Sequence, residues 1–307
     1  MKISIIIPSF NQGAFLEETL ASIFAQGGIE CEVLVFDGGS TDQTVEVLRR
    51  HDKNLYYWES TPDRGQTHAI NKGLARMSGD VWMYLNSDDL LLPGALATVA
   101  ELFADRSVMW VAGGCDIFDA NGIIGDVRPG LTARAKDYLA PWSRSSQYVF
   151  PFSGACYFRR EVADRLGLFD ESYKYSMDIE YCCRAIFEGD GLRQTTIPNV
   201  LARWRWHAES KTMSRGIAYA FRAEEVRIAQ KYAHYLPPGD RAELETEIRG
   251  QLKWLPVRES MWLLGEGRSQ DALSLLLHAV GASPSLFLSR TWLGALRRVI
   301  LQLPIFL

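Results

Sequence analysis

Apolar and polar positions alternate between two rhythms through the first third of the chain. Short unbroken apolar runs read as buried strands, and between them apolar residues recur every three or four positions, as one face of a helix requires. Residues 3–7 (Ile-Ser-Ile-Ile-Ile) are the first such run, and residues 14–26 follow with Phe15, Leu16, Leu20, Ile23 and Phe24 on a helical stripe. Residues 31–36 predict a second strand, and Ser40-Thr41-Asp42-Gln43 has capping-box spacing ahead of a helix carrying Val45 and Leu48. A third strand is predicted over 55–58, a helix over 67–77 and a fourth strand over 81–85. Pro93 opens a helix bearing Leu96, Val99 and Phe103, and a fifth strand covers 109–112. This regular exchange of strand and helix predicts an α/β fold: a mostly parallel sheet with helices on both faces.

The rhythm weakens from residue 121. A short strand is predicted over 155–158, a helix over 179–187 and an alternating strand over 200–207. Beyond Gly216 the pattern is helical, over 217–233, 241–252, 271–280 and 290–301. The expected organisation is residues 1–120 and 121–215 as two halves of one α/β domain, with 216–307 as a helical C-terminal extension.

Ligands of parallel sheets bind beyond the carboxyl ends of the strands. Polar clusters fall at four of those ends, residues 9–12, 37–42, 63–66 and 86–89, and are expected to line one crevice. Composition narrows the ligand. Lys and Arg total 33 against 37 Asp and Glu, with no concentrated basic stretch, so a nucleic acid partner is not expected. The five cysteines form no CxxC pair and lie mostly in apolar runs, which suits buried reduced thiols in a reducing, cytoplasmic setting. Met1-Lys2-Ile3-Ser4 enters the first strand without the pattern of a signal peptide, and no apolar run reaches the roughly 18 residues of a spanning helix.

Asn86-Ser87-Asp88-Asp89 carries the sharpest chemical signal. Adjacent carboxylates at a strand end repel each other unless a cation lies beside them, and a hard divalent ion shared with a diphosphate prefers one or two carboxylates to a full protein cage. An Asp-rich turn at a helix N-terminus is the plain alternative. Asp37, ahead of Gly38-Gly39-Ser40-Thr41-Asp42, offers a carboxylate to a nucleoside base and glycines for close approach to a ligand, although a tight turn with a cap explains the same residues. Gly65 and Gln66, in Asp63-Arg64-Gly65-Gln66, and Asn71 and Lys72, ahead of Gly73, supply groups for a diphosphate or sugar hydroxyls, or else form a solvated helix face. Asp178 opens an apolar helix and shares a face with Tyr181 and Cys182. Transfer to a hydroxyl acceptor needs one such base within reach; the alternative is a capping Asp178, with Glu180 and Arg184 as a surface pair. His207, near Trp204 and Trp206, is either a metal or phosphate ligand or a packed side chain. No G-x-G-x-x-G follows the first strand, and neither a phosphate-binding G-x-x-x-x-G-K-[ST] nor a G-x-S-x-G elbow occurs.

In combination, Ile-Ile-Ile-Pro8-Ser9-Phe10-Asn11-Gln12, Val-Phe-Asp37-Gly-Gly-Ser-Thr-Asp42, Pro62-Asp63-Arg64-Gly65-Gln66 with Asn71-Lys72-Gly73, and Leu85-Asn86-Ser87-Asp88-Asp89 resemble the family 2 glycosyltransferases of GT-A type. Gly154 to Arg160, Phe169-Asp170-Glu171 and Asp178 extend the resemblance in the same order to about residue 215. It implies inverting transfer of a sugar from a UDP-, GDP- or dTDP-linked donor to a carbohydrate or lipid-linked glycan acceptor, assisted by Mg2+ or Mn2+. On that analogy Pro8, Phe10, Asn11 and Asp37 hold the nucleoside, Asp88 and Asp89 are the metal and ribose carboxylates, Asp178 is the base, and His207 helps bind metal or diphosphate. The family's Asp-Asp-Gly-Ser is here Asp37-Gly38-Gly39-Ser40, and the leading Asp of its Asp-x-Asp is Asn86. Two other classes stay open: a nucleotidyltransferase, which would carry a basic Gly-rich loop that residues 9–13 do not form, and a catalytically silent scaffold. For the C-terminal helices the readings are packing on the catalytic part, pairing in a homo-oligomer, or peripheral contact with the inner face of a membrane.

Overall fold

The computed structural model describes residues 1–129, 134–143, 153–211, 217–287 and 289–301. Its contacts divide the chain into two compact units, Met1–Pro141 with Ser145–Trp206, and Trp142–Arg144 with His207–Leu307. The expected boundary at 215/216 lies outside the described residues, and a hairpin spans the one at 120/121.

The first unit alternates strand and helix: β1 (Lys2–Ser9), α1 (Gly13–Phe24), β2 (Glu30–Asp37), α2 (Thr44–Arg50), β3 (Tyr57–Ser60), α3 (Gln66–Arg76), β4 (Val81–Tyr84), β5 (Leu90–Leu91) and α4 (Ala95–Leu102). It continues with β6 (Trp110–Asp119), β7 (Gly122–Val127), α5 (Ala135–Leu139), β8 (Cys156–Arg159), α6 (Arg160–Leu166), α7 (Met177–Phe187) and β9 (Gln194–Arg205). The strands form one sheet in the order β3-β2-β1-β4-β8-β6-β9-β5, with β7 paired to β6. Its first four strands are parallel, β8 runs antiparallel between β4 and β6, and β6 and β9 are again parallel.

Strand β1 shows why the sheet is covered on both faces. Ile3, Ile5 and Ile7 alternate onto one side and join Leu16, Leu20 and Ile23 of α1 and Val47 and Leu48 of α2 in a single core. Ile6 faces the other side beneath Gly73 of α3, where a Cβ would lie 2.4 Å from its Cγ2, so only glycine lets the helix rest on the sheet there. Pro8 lies past the last β1–β4 partner, Ile6 with Tyr84, so its missing N–H interrupts no ladder on that side.

Several elements differ from the sequence expectation. The capping box does not form: α2 begins at Thr44, Ser40 donates its hydroxyl to Asp37, and Asp42 accepts the Thr44 N–H at 3.0 Å. Residues read as irregular from 121 form the second strand of the β6–β7 hairpin, and β9 starts at Gln194 rather than at residue 200.

The second unit is helical: α8 (Ile217–Tyr232), α9 (Pro238–Gly265), α10 (Ser269–Ala282) and α11 (Arg290–Ile300). Helix α9 runs 28 residues, through Pro256 and well past the expected end at 252, because Val257, Leu263 and Leu264 beyond the proline pack into a core with Leu276, Trp292 and Val299. Trp292 also donates its indole N–H to the Leu276 carbonyl at 3.1 Å, and Ser289 caps α11 by accepting the Trp292 N–H. Among the described residues no helix is long and apolar enough to cross a membrane.

Candidate active site

The four polar loops at the strand ends are joined in series. Asn11 sits in the left-handed region (φ 51°), accepts the Thr41 N–H at 2.9 Å through its side chain, and donates its own N–H to Ser40 Oγ at 2.7 Å. Asp42 accepts the Gly13 N–H at 2.9 Å, which satisfies one of the open donors at the start of α1. Burial alone would raise the Asp42 carboxyl, but its hydrogen bonds from Thr44 and Gly13 outweigh this and hold it below the ordinary range. The second loop meets the third where Ser60 Oγ donates to Asp37 at 2.6 Å, and where Gly38 faces the Phe10 ring and the Asp63 carboxylate. The third meets the fourth where Gln66 Nε2 donates to Asn86 Oδ1 at 2.7 Å.

Within this frame the residues singled out from sequence fall into two groups. Phe10 is 60% exposed and Asn11 is exposed beside it, both open to a ligand. Asp37 is fully buried, and its carboxylate accepts the Gly39 and Ser40 N–H groups and the Ser40 and Ser60 hydroxyls. It therefore shapes the loop from below. The third-loop glycine, Gly65, takes φ 109°, and its N–H is held by Asp63 at 2.7 Å.

Asp88 and Asp89 separate in the same way. Asp89 is 1% exposed, and its oxygens accept from Asn86 Nδ2 at 3.0 Å and from the Arg205 N–H at 3.0 Å. Burial, and then the neighbouring Asp88 charge, push its carboxyl well above the usual range. Its side chain turns inward and ties the fourth loop to β9. Asp88 keeps partial exposure, while its carbonyl accepts from Arg205 Nε at 2.8 Å. Among the described residues no three His, Cys, Asp or Glu side chains group to hold a metal. One carboxylate beside an amide nonetheless fits magnesium or manganese, which take most of their oxygen ligands from phosphates and water.

Helix α3 turns two of its polar side chains onto the protein's own groups. Asn71 is 5% exposed and clamps the backbone of Phe169, accepting its N–H at 2.9 Å and donating to its carbonyl at 3.0 Å. Lys72 pairs with Glu59 at 2.7 Å. Thr67 donates to the Tyr173 carbonyl at 3.2 Å, and Arg64 grips Glu171 through Nε and Nη2 at 2.8 and 2.9 Å. The helix and its leading loop thus anchor residues 169–173, the approach to Asp178.

Asp178 lies in the first turn of α7 and lines a cavity with Tyr84, Ser153, Cys156, Phe158, Phe169, Tyr181 and Cys182. Ser153 also accepts from Asn86 Nδ2 at 3.4 Å, so the cavity adjoins the fourth loop. Burial first, and the Asp178 charge second, raise the Tyr84 hydroxyl well above its ordinary value. Glu180 and Arg184, a surface pair in the alternative reading of this helix, form a 2.6 Å bridge with Glu180 fully buried. Arg184 further donates to the Leu166 and Leu168 carbonyls, which fastens α7 beneath the same segment. His207, in the second unit, accepts from Ser210 N and Oγ through its carbonyl. Ser153 and Tyr84 were not singled out from sequence: Tyr84 reads as one more apolar strand position, and Ser153 lies in the patternless stretch.

A family model described as glycosyl transferase family 2 matches residues 4–167, more than half of the chain and all four loops. The chain belongs to glycosyl transferase family 2. An uncharacterised family relative, a glycosyltransferase of Nostoc sp., is 28% identical over 232 residues, covering 71% of this chain and 69% of the relative. A Campylobacter jejuni GalNAc(5)-diNAcBac-PP-undecaprenol beta-1,3-glucosyltransferase is 33% identical over 118 residues, 37% of this chain and 38% of its own. Among solved structures, S. aureus TarS in complex with UDP-GlcNAc superposes with a TM-score of 0.63 at 18% identity, over 97% of this chain and 90% of that one. The mannosyltransferase PcManGT of Pyrobaculum calidifontis, in complex with GDP-Man and Mn2+, gives 0.52 at 20% identity, over 98% and 84%. These likenesses establish the GT-A fold expected from the sequence. Asp178 and His207 lie beyond the residues that the glycosyl transferase family 2 model matches, so the case for Asp178 is geometric.

Proposed function

We propose that the chain transfers a sugar, with inversion, from a nucleotide diphosphate sugar to a hydroxyl of a lipid-linked or polysaccharide acceptor, with Asp178 as the base. One observation carries the reading: the cavity lined by Asp178 adjoins the loop network of the first four strand ends through Ser153 and Asn86. Phe10 and Asn11 offer an exposed ring and amide to a nucleoside. Gly65 and Gln66 lie where the third loop meets Asn86, beside the space for the diphosphate. The undecaprenol-linked acceptor in the name of the Campylobacter relative, and the UDP-GlcNAc and GDP-Man of the two structures, support the substrate classes.

The chemistry asks little covalent work of the protein. Asp178 accepts the acceptor proton as the hydroxyl oxygen attacks the anomeric carbon, and the bond to the diphosphate breaks on the opposite face. A single base then gives inversion, since no covalent sugar intermediate is formed. The rings of Phe158, Phe169 and Tyr181 line the same cavity as Asp178 and make its wall largely apolar, which disfavours water as a competing acceptor. Magnesium or manganese held at Asp88 would neutralise charge on the leaving diphosphate. His207 is proposed as an accessory ligand on the sequence resemblance alone.

The test begins with thermal protection by a panel of UDP-, GDP- and dTDP-sugars with manganese, which identifies the donor. With that donor, Asp178→Asn is expected to lower the transfer rate at least about 100-fold, the scale of general-base catalysis, while donor protection is retained. Transfer at near-normal rate would remove Asp178 from the role.

A further inference from the structure

The sequence after Asp271 contains no acidic residue to the end of the chain, yet it carries Arg290, Arg297 and Arg298. This local positive charge stands against a net charge of -4 for the whole molecule. Helix α11 displays it in an ordered way. Trp292, Ala295 and Val299 are buried against the helical core, which leaves the opposite face outward. On that face Arg290 and Arg297 lie one above the other at seven-residue spacing, and Leu293 and Ile300 form a second row beside them, 46% and 53% exposed. Leu301 at the end of the helix is 73% exposed, and Phe287 just before it is 53% exposed. Among the described residues none of the three arginines is paired with a carboxylate.

Exposed leucine and isoleucine side by side with unpaired guanidinium groups need a partner that is apolar and anionic at once. A bilayer containing acidic lipids has both, its phosphates at the level of the guanidiniums and its acyl chains just below. A second copy of this chain fits poorly, because a two-fold contact through this face would bring together two surfaces that each carry arginines and no carboxylate.

We propose that the outward face of α11 docks the protein on an anionic lipid surface, with Arg290, Arg297 and Arg298 at the headgroups and Leu293, Ile300 and Leu301 inserted among the upper acyl carbons. This goes beyond the proposed reaction and does not depend on it, and its test reads binding only.

Flotation of the full chain with phosphatidylcholine vesicles, with and without phosphatidylglycerol, measures the docking. Binding is expected only with phosphatidylglycerol and is expected to fall as salt rises. Arg297→Gln with Arg298→Gln should weaken it at least about tenfold, given the contribution of each basic residue at such a surface. Leu293→Ser with Ile300→Ser should weaken it comparably, while Arg297→Lys with Arg298→Lys should keep most of it. All these positions are exposed, and circular dichroism and the thermal transition verify that each variant folds. Equal binding to neutral vesicles, no binding to acidic ones, or Gln and Ser variants that float like the parent would overturn the proposal. So would sedimentation showing a dimer that these variants split, which would make the face a contact between copies.

Discussion

Asp88 and Asp89 are neighbours with opposite fates, set by which way each side chain leaves the strand end. Asp89 points into the protein, where burial and the adjacent charge favour its protonated form. A carboxyl raised in the folded state binds more protons folded than unfolded, so its stabilising effect is full below the ordinary value of 3.8 and is lost as pH climbs through the raised value. Asp89→Asn keeps an oxygen for the Arg205 N–H and carries no charge. It is expected to flatten the decline in melting temperature above pH 4 without loss of fold. A melting curve that stays parallel to the parent across pH would refute the assignment of that decline to Asp89. Asp88→Asn relieves the charge beside buried Asp89 and should not lower stability, yet it should raise the donor KM and abolish the effect of added manganese. Titration calorimetry of the donor with and without the metal separates the two variants.

At the scale of elements, α3 beyond Gln66 supports the candidate site by holding the segment that leads to Asp178. Its Asn71 side chain reproduces, for Phe169, the paired donor and acceptor that a neighbouring strand would supply. Asn71→Ala would leave a buried N–H and carbonyl unmet, at a cost of about 2–4 kcal/mol. The variant is expected to melt lower and to lose kcat more than donor affinity, because the loosened segment leads to Asp178 rather than to the nucleoside loops. A matching loss of donor affinity would argue that α3 holds the ligand after all. That these contacts are not legible in the sequence has a physical origin. Asn71 and Lys72 are polar residues on a helix, and the partners that internalise them, Phe169 and Glu59, are remote in sequence or on another element. The β1–α1 to β4 rhythm was legible because each strand and helix buries its own apolar stripe. β7, exposed along most of its length, has no such stripe, and β9 pairs with β6 through shifts of register and gains β5 on its other edge only at Ala202 and Arg203. The four polar clusters and Asp178 were legible as strand-end and helix-start residues. Ser153, which adjoins the Asn86 loop and the Asp178 cavity, carries no local signal at all.

For the molecule as a whole, the two units have separate cores, and this makes their stabilities separable in principle. The first core gathers β1, β2, α1 and α2 with later strands, while the second contains residues only from Val257 onward. Leu276 is fully buried in the second core and receives the Trp292 indole at its carbonyl. Leu276→Ala removes three carbons from a site walled by helices on several sides, a change that costs about 2–5 kcal/mol in comparable cores. Apart from His207, the accessory ligand proposed on resemblance alone, the residues proposed to meet the nucleotide lie in the first unit, between Pro8 and Asp88. The variant is therefore expected to lower the transition of the helical unit in a calorimetric scan, while donor sugars still shift the transition of the first unit as they do in the parent. A scan in which both transitions fall together, or in which donor protection vanishes, would mean that the helical unit is needed to form the nucleotide site. The assignment of donor recognition to the first unit alone would then have to be given up.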